Sequence, residues 1–278
     1  MTTLSRDGWS LVWSDEFEGD RIDPDKWDFD IGNGFFDYRS HTWISGWGNE
    51  ELQYYTDSPT NAFVRDGVLT IRAVKEAWHG CGYTSARLKT RKRVGGAALF
   101  SKTYGRFEFR AKVPHGKGLW PALWMLPLDD VYGGWAASGE IDIMEIVGEK
   151  PYEVLNSIHF GSSGSDGRAL ITHVYPLPNG STVADWHTYT VDWEPGEVRF
   201  YVDGVHTRTY DHWWSCSRTE NGTGVVARGA QDLNPWPAPF DQPFYLVMNV
   251  AVGGNFPGVP NAETRFPAEL VVDYVRVY

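Results

Sequence analysis

The feature that most constrains this chain is a period of two. In "GVLTIRA", Leu69, Ile71 and Ala73 alternate with Val68, Thr70 and Arg72. Alternate residues of an extended strand point to opposite faces, so this segment has one apolar side to bury. "YGRFEFRAKVP" repeats the pattern, with Phe107, Phe109 and Ala111 set against Arg106, Glu108, Arg110 and Lys112. That is the alternation of an antiparallel sheet with one wet side. Further strands are read in "WHTYTVDWEP", "EVRFYVDG", "FYLVMNVAV" and "LVVDYVRVY", each bounded by Gly, Pro, Asn or Asp. Asp203-Gly204 supplies the residues a tight primed hairpin turn prefers. No segment shows a convincing helical period. Many short strands with one apolar face each require a second sheet to pack on, which predicts an all-β fold, a β-sandwich or jelly roll of two antiparallel sheets. Without a repeat, low-complexity tract or linker, residues 1–278 are expected to form a single domain.

Charge and cysteine content narrow the function. A formal net charge of -11 without a basic cluster leaves no source of phosphate neutralisation, which argues against a nucleic-acid partner. No apolar run reaches membrane-spanning length, so no membrane partner is expected, and a monomer is. Cys81 and Cys216 lack zinc-site spacing; a single bridge between their loops and two free thiols both stay open. The start "MTTLSRDGWS" lacks signal-peptide character, and the expectation is a secreted protein from which the signal has been removed. Asn179-Gly180-Ser181 and Asn221-Gly222-Thr223 are glycosylation sequons.

The chemistry concentrates in "GEIDIMEI", where Glu140, Asp142 and Glu145 stand among residues that belong in a sheet core. In a regular strand Glu140 and Asp142 share a face and Glu145 is out of phase. One extra residue between Asp142 and Glu145, a β-bulge, returns Glu145 to that face and leaves Ile141 and Ile146 in the core. Two long glutamates leaning inward then approach the roughly 5 Å carboxyl separation of retaining glycoside hydrolysis. Crowding raises their pKa values, so that one carboxyl keeps its proton while another is ionised. The competing readings are a carboxylate metal site and a plain solvated face. Aromatic residues tilt the balance: they make up 15% of the chain, more than a core alone calls for. Trp120 and Trp124 in "GLWPALWMLP" fall on one strand face, as core residues or as platforms for the apolar faces of sugar rings. Three long segments break the strand rhythm and are expected to be functional loops: "DIGNGFFDYRSHTWISGWGNEELQYYTD", "LDDVYGGWAAS" and "DHWWSCSRTENGTGVVARGAQDLNPWPAPFD".

These motifs together resemble glycoside hydrolase family 16, and within it the laminarinases, the endo-β-1,3-glucanases. Glu-x-Asp-x-x-Glu following "GLWPALWMLP" carries the resemblance, and "WSDEFEG", "WGNEELQYYT", "YTSARLKT", "FYLVMNVAVGGNFPG" and "VDYVRVY" extend it over nearly the whole chain. It implies a jelly roll with an open concave substrate cleft, Glu140 as nucleophile, Asp142 as its assisting carboxylate and Glu145 as general acid/base, with retention and no cofactor for catalysis. The two-residue gap before Glu145 implies a β-1,3-glucan partner, with mixed-linkage glucan or a galactan as the alternative. By the same resemblance Asn49, Arg87, Trp120, Trp124 and His159 contact substrate. Arg87 in a structural ion pair and His159 as a core residue are the competing readings. Phe256 stands where laminarinases often have Trp. Trp213, Trp214 and Trp236 are candidates for stacking at the cleft rim or for simple loop packing. Finally, the resemblance implies a structural Ca²⁺ held by Glu16, Gly67 and Asp273. Asp273 shares a strand face with Val271, Val275 and Val277, and an inward carboxylate needs a cation or hydrogen bonds.

Overall fold

The computed structural model of the chain describes residues 5–6, 8–38, 40–164, 167–220, 223–224 and 227–278. Among them every regular element is a β-strand apart from three single-turn 3₁₀ segments, as the period of two demands. The strands form two eight-stranded sheets that pack as a jelly-roll sandwich. One runs, edge to edge, through Arg168–Pro176, Glu153–Ser162, Glu140–Glu145, Leu119–Pro127, Phe244–Val252, Arg87–Lys89 and Asp28–Phe29, with Ser215–Cys216 added in parallel to Glu153–Ser162. The other runs through Val205–Tyr210, Glu197–Val202, His187–Glu194, Gly105–Lys112, Ala268–Val277, Val68–Ala73 and Ala62–Arg65, with Trp13–Asp15 beside Ala268–Val277. Asp203 and Gly204 take φ of 53° and 76° and close the expected two-residue hairpin between Val202 and Val205.

One apolar cluster fills the space between the sheets. Leu123, Met125, Ile141 and Ile158 from the first meet Phe107, Phe109, Tyr189 and Val275 from the second, all fully buried. Burying that surface offsets the entropy of ordering so many short strands. The carboxylate strand Glu140–Glu145 is central, hydrogen-bonded on one side to Leu119–Pro127 and on the other to Glu153–Ser162.

Two features depart from simple alternation. Arg106 and Glu108 are buried rather than wet: Arg106 pairs with Asp192 on the neighbouring strand at 3.2 Å, and the Tyr274 hydroxyl donates to Glu108 at 2.9 Å. Paired charges are tolerated where an isolated one is not. The inward placement expected for Asp273 is corrected by a bulge. Tyr274 stands opposite Arg110 and Val272 opposite Ala111, so the count slips by one at Asp273. The buried residues are Leu270, Val272, Val275 and Val277, while Asp273 turns out to pair with Arg110. Cys81 and Cys216 are free thiols. Asn179 is exposed, and the second sequon begins at Asn221, outside the described residues.

The end of the carboxylate strand is pinned to the start of its neighbour through Gly148, whose N–H donates to the Leu119 carbonyl at 2.9 Å and whose carbonyl accepts from Gly116 at 2.7 Å. A Cβ at Gly148 would lie 2.2 Å from the Gly116 oxygen and 2.6 Å from the Leu119 oxygen, both backbone atoms that cannot swing away. Gly148→Ala is therefore expected to cost about 1–3 kcal/mol and to lower Tm by about 3–10 °C, read by thermal denaturation.

Candidate active site

The bulge lies where the spacing of the acids placed it. Glu140 pairs with His159, Ile141 with Ile158 and Asp142 with Ser157, but Glu145 pairs with Leu155, so Ile143 and Met144 on this strand face the single residue Asn156 on its partner, one residue in excess. On the other side Asp142 opposes Trp124 while Met144 opposes Leu123, which makes Ile143 the inserted residue. Ile141, Ile143, Met144 and Ile146 all remain buried, and the three carboxylates share the face away from the core. A bulge breaks the ladder locally and leaves a carbonyl to satisfy. Asn156 answers it: the fully buried side chain donates to the Ile143 carbonyl at 2.8 Å and accepts from the Thr207 hydroxyl at 2.7 Å. A polar residue inside a buried strand was visible in the sequence, but its role depends on a bulge in the next strand.

Although the trio faces away from the core, the Glu140 side chain is only 14% exposed and Asp142 2%, so the site is a recess. Each glutamate receives an indole N–H, Trp135 on Glu140 at 2.7 Å and Trp120 on Glu145 at 2.9 Å. His159 Nε2 lies 3.3 Å from Asp142 Oδ2 and 3.8 Å from Glu140 Oε1. Asp142 Oδ2 has no hydrogen-bond partner in the protein. Burial first, then the carboxylate of Asp142, pushes Glu140 from the ordinary 4.5 up to about 8. Burial also raises Glu145, and burial with the neighbouring Glu145 charge holds Asp142 well above the usual carboxylate range. Three such groups titrate as one system. Asp142 is the most enclosed of the three, and its burial favours the protonated form. A neutral Asp142 removes its repulsion from Glu140, which is then the group freer to ionise.

Ligating atoms of Glu140, Asp142 and His159 lie within 4.8 Å of one another, the only such group of metal-capable side chains found among the described residues. A donor N–H already occupies Glu140, and the set fits proton transfer and nucleophilic chemistry.

Around the trio, Trp124 stands directly across the strand pair from Asp142, and its N–H donates to Asn249 at 2.7 Å. Asn249 in turn donates to the Tyr55 hydroxyl at 3.0 Å. Trp120 carries Phe256 on its outer edge, with ring centroids 5.2 Å apart. Asn49 donates to Glu51 at 3.1 Å, and Gln53 donates to the same carboxylate at 2.6 Å; burial raises the Glu51 pKa. The Arg87 guanidinium lies between the rings of Trp47 and Trp124, 4.9 and 4.7 Å from their centroids, and pairs with Asp30 at 3.0 Å. It braces Trp124, the structural reading left open for it in the sequence, while His159 faces the Glu140 and Asp142 carboxylates.

Other candidates sit elsewhere. Trp213 is 7% exposed, stacked on Trp236 at 4.6 Å, and donates to the Pro237 carbonyl. It packs the loop from inside. Trp214 rests edge-on against Phe160. Trp135, in the segment "LDDVYGGWAAS" already marked as a functional loop, is a site residue that sequence periodicity could not single out. At the proposed calcium position, Glu16 is held by Arg276 at 3.0 and 2.8 Å and Asp273 by Arg110. Both carboxylates therefore face a guanidinium partner.

Comparison with known proteins follows the same lines. The family profile described as Glycosyl hydrolases family 16 matches residues 48–216. The chain is 43% identical to the glucan endo-1,3-beta-glucosidase A1 of Niallia circulans over 98% of its own length, spanning 38% of that longer protein. It is also 43% identical to a beta-glucanase of Rhodothermus marinus, covering 97% of this chain and 85% of that one. The crystal structure of the laminarinase catalytic domain from Thermotoga maritima MSB8 superposes with a TM-score of 0.77 at 40% identity, over 97% of this chain and 98% of that one.

A raised carboxyl pKa has a cost to stability. Between the ordinary 4.5 and about 8, folded Glu140 holds more protons than the unfolded chain, so its contribution is full below pH 4.5 and is lost as pH rises through 8. Glu140→Gln removes that loss. The Tm of the variant is expected to match the parent near pH 4 and to exceed it by several degrees at pH 8 and above, in a pH series of thermal melts.

Proposed function

The chain belongs to family 16 of the glycosyl hydrolases, and from that membership we propose that it is a retaining endo-β-1,3-glucanase, a laminarinase that cuts internal β-1,3-glucosidic bonds by double displacement. The observation that carries this reading is the recessed strand face on which Glu140, Asp142 and Glu145 stand together, each glutamate fixed by an indole N–H. Both glutamates being present speaks against a module that only binds glucan. The names of the relatives and the bulged spacing support the β-1,3 linkage.

Glu145, protonated, gives its proton to the departing glycosidic oxygen while the Glu140 carboxylate attacks the anomeric carbon, forming a covalent glycosyl-enzyme. Neutral Asp142 donates towards Glu140 and holds it in position. Glu145, now a carboxylate, takes a proton from water, which attacks the same carbon and releases Glu140 with the configuration retained. Trp120 and Trp124 offer their faces to the pyranose rings, and the Trp135 N–H fixes the nucleophile. The scheme uses no cofactor, and we propose that the protein works as a monomer, since the three acids and the indole donors to the two glutamates lie on one chain. We place it outside the cell, where a polymeric glucan is met. A structural Ca²⁺ at Glu16, Gly67 and Asp273 would have to compete with Arg276 and Arg110, and the chemistry does not use it.

Product analysis after parallel incubation with laminarin, curdlan, barley β-glucan, agarose and porphyran tests the substrate. Laminari-oligosaccharides of mixed length from the first two are expected; cleavage confined to another polymer would keep the mechanism and replace the substrate. Glu140→Ser should lower kcat by more than about 10³-fold while leaving glucan binding intact, because ring stacking does not depend on the nucleophile. Near-normal turnover would refute the assignment. Asn156→Leu leaves the Ile143 carbonyl without its donor and lets Glu145 drift. Its kcat is expected to fall roughly 10- to 100-fold with KM nearly unchanged, in steady-state kinetics on laminarin.

A further inference from the structure

Residues 34–45 form an arm that the catalytic reading leaves unexplained. Gly34–Asp37 pairs with Thr42–Ser45 as a two-stranded ribbon, a structure that is marginal in water by itself. Its tip is tied by the Ser40 hydroxyl donating to Asp37 at 2.6 Å and lying 2.7 Å from the Thr42 hydroxyl. The ribbon nevertheless carries large rings in the open: Phe35 is 43% exposed, Phe36 42%, Trp43 53% and Tyr38 79%. Phe36 and Trp43 are direct cross-strand partners on one face, and Tyr38 meets Phe36 edge-on at 5.0 Å. Exposed rings grouped in this way mark a binding surface.

The arm is continuous with the cleft. Its base is fixed by Gly46 N–H donating to the Asn33 carbonyl at 2.7 Å, and the Gly46 carbonyl accepts from both Asn49 and Glu51, the wall beside Trp120. On its other face Phe35 lies 6.1 Å from Trp47, Trp47 covers Arg87, and Arg87 covers Trp124 opposite Asp142. This packed row braces the Phe35 face of the ribbon against the cleft wall and leaves the opposite face, with Phe36 and Trp43, open beside the cleft. We infer that the ribbon is a holding arm for the same β-1,3-glucan chain beyond the catalytic cleft, with Phe36, Trp43 and Tyr38 as a platform on which its sugar rings stack. The platform side chains Phe36, Trp43 and Tyr38 are themselves uncharged, Asp37 beside them is engaged by the Ser40 hydroxyl, and pyranose rings present apolar C–H faces to such a platform. The inference rests on the glucanase reading, and adds a binding region that acts on long chains only.

The test compares the parent with Phe36→Ser/Trp43→Ser, and with Tyr38→Ser alone as the milder change at the most exposed ring. For each, kcat/KM is measured on polymeric laminarin and on a short laminari-oligosaccharide that fills only the cleft, with sedimentation onto insoluble curdlan and thermal melts alongside. The expected result is a roughly five- to tenfold loss on the polymer and on curdlan retention for the double variant, a smaller loss for Tyr38→Ser, and unchanged kcat/KM on the short substrate. An active parent with unchanged polymer kinetics in both variants would overturn the arm and spare the glucanase reading. So would an equal loss on both substrates, or parent dimers that the substitutions dissolve, which would make the platform a contact between copies. A parent that cuts no β-1,3-glucan would overturn the glucanase reading and the arm with it.

Discussion

The site depends on a single inserted residue. If Ile143 were accommodated by regular alternation instead of a bulge, the strand would point Glu145 into the apolar core, where an unpaired carboxyl costs several kcal/mol, and Met144 into water. With the bulge, Ile141, Met144 and Ile146 keep their places between the sheets and three acids keep theirs outside. The insertion costs one ladder hydrogen bond, and Asn156 makes that good from the neighbouring strand. The bulge is thus held by packing below, by an amide beside and by hydrogen-bonded strands on both sides. A change to any of these acts on Glu145 before it acts on anything else.

Electrostatics follows from the same geometry. Carboxylates that share a recess cannot all be ionised, and the recess forms because Trp120, Trp124 and Trp135 stand around it. The indoles exclude water, which raises the pKa values, yet two of them also offer the N–H that stabilises a carboxylate. Desolvation and hydrogen bonding therefore oppose each other at Glu140 and Glu145, with desolvation the larger effect at both. Behind this layer a second one of Glu51, Tyr55 and Asn249 orients Trp124 from one side while Arg87, on Asp30, supports it from another.

Strands and their faces were legible because alternation is a local property: Phe107, Phe109 and Ala111, or Leu69, Ile71 and Ala73, declare the core without reference to any other segment. The bulge was legible for the same reason, since Glu145 is out of phase within six residues. What escaped depended on partners distant in the chain. Asp273 was misplaced because its bulge is set by the register against Arg110 and Ala111. Trp213 is buried by Trp236 and Phe240, more than twenty residues on. Trp135 lies in a loop with no period at all, and only its approach to Glu140 gives it a role. Arg106 and Glu108 read as a wet face because their cover, Asp192 and Tyr274, comes from two other strands.

The three acids occupy six consecutive residues of one central strand, whereas Trp135, Asn49, Phe256 and the aromatic ribbon come from separate connecting segments. The spacing of the acids is therefore an arithmetic property of sheet register and is untouched when a loop grows, shrinks or is exchanged. In a chain built this way, reactivity and substrate preference are written on different stretches of sequence, and the second can be rewritten many times over without disturbing the first.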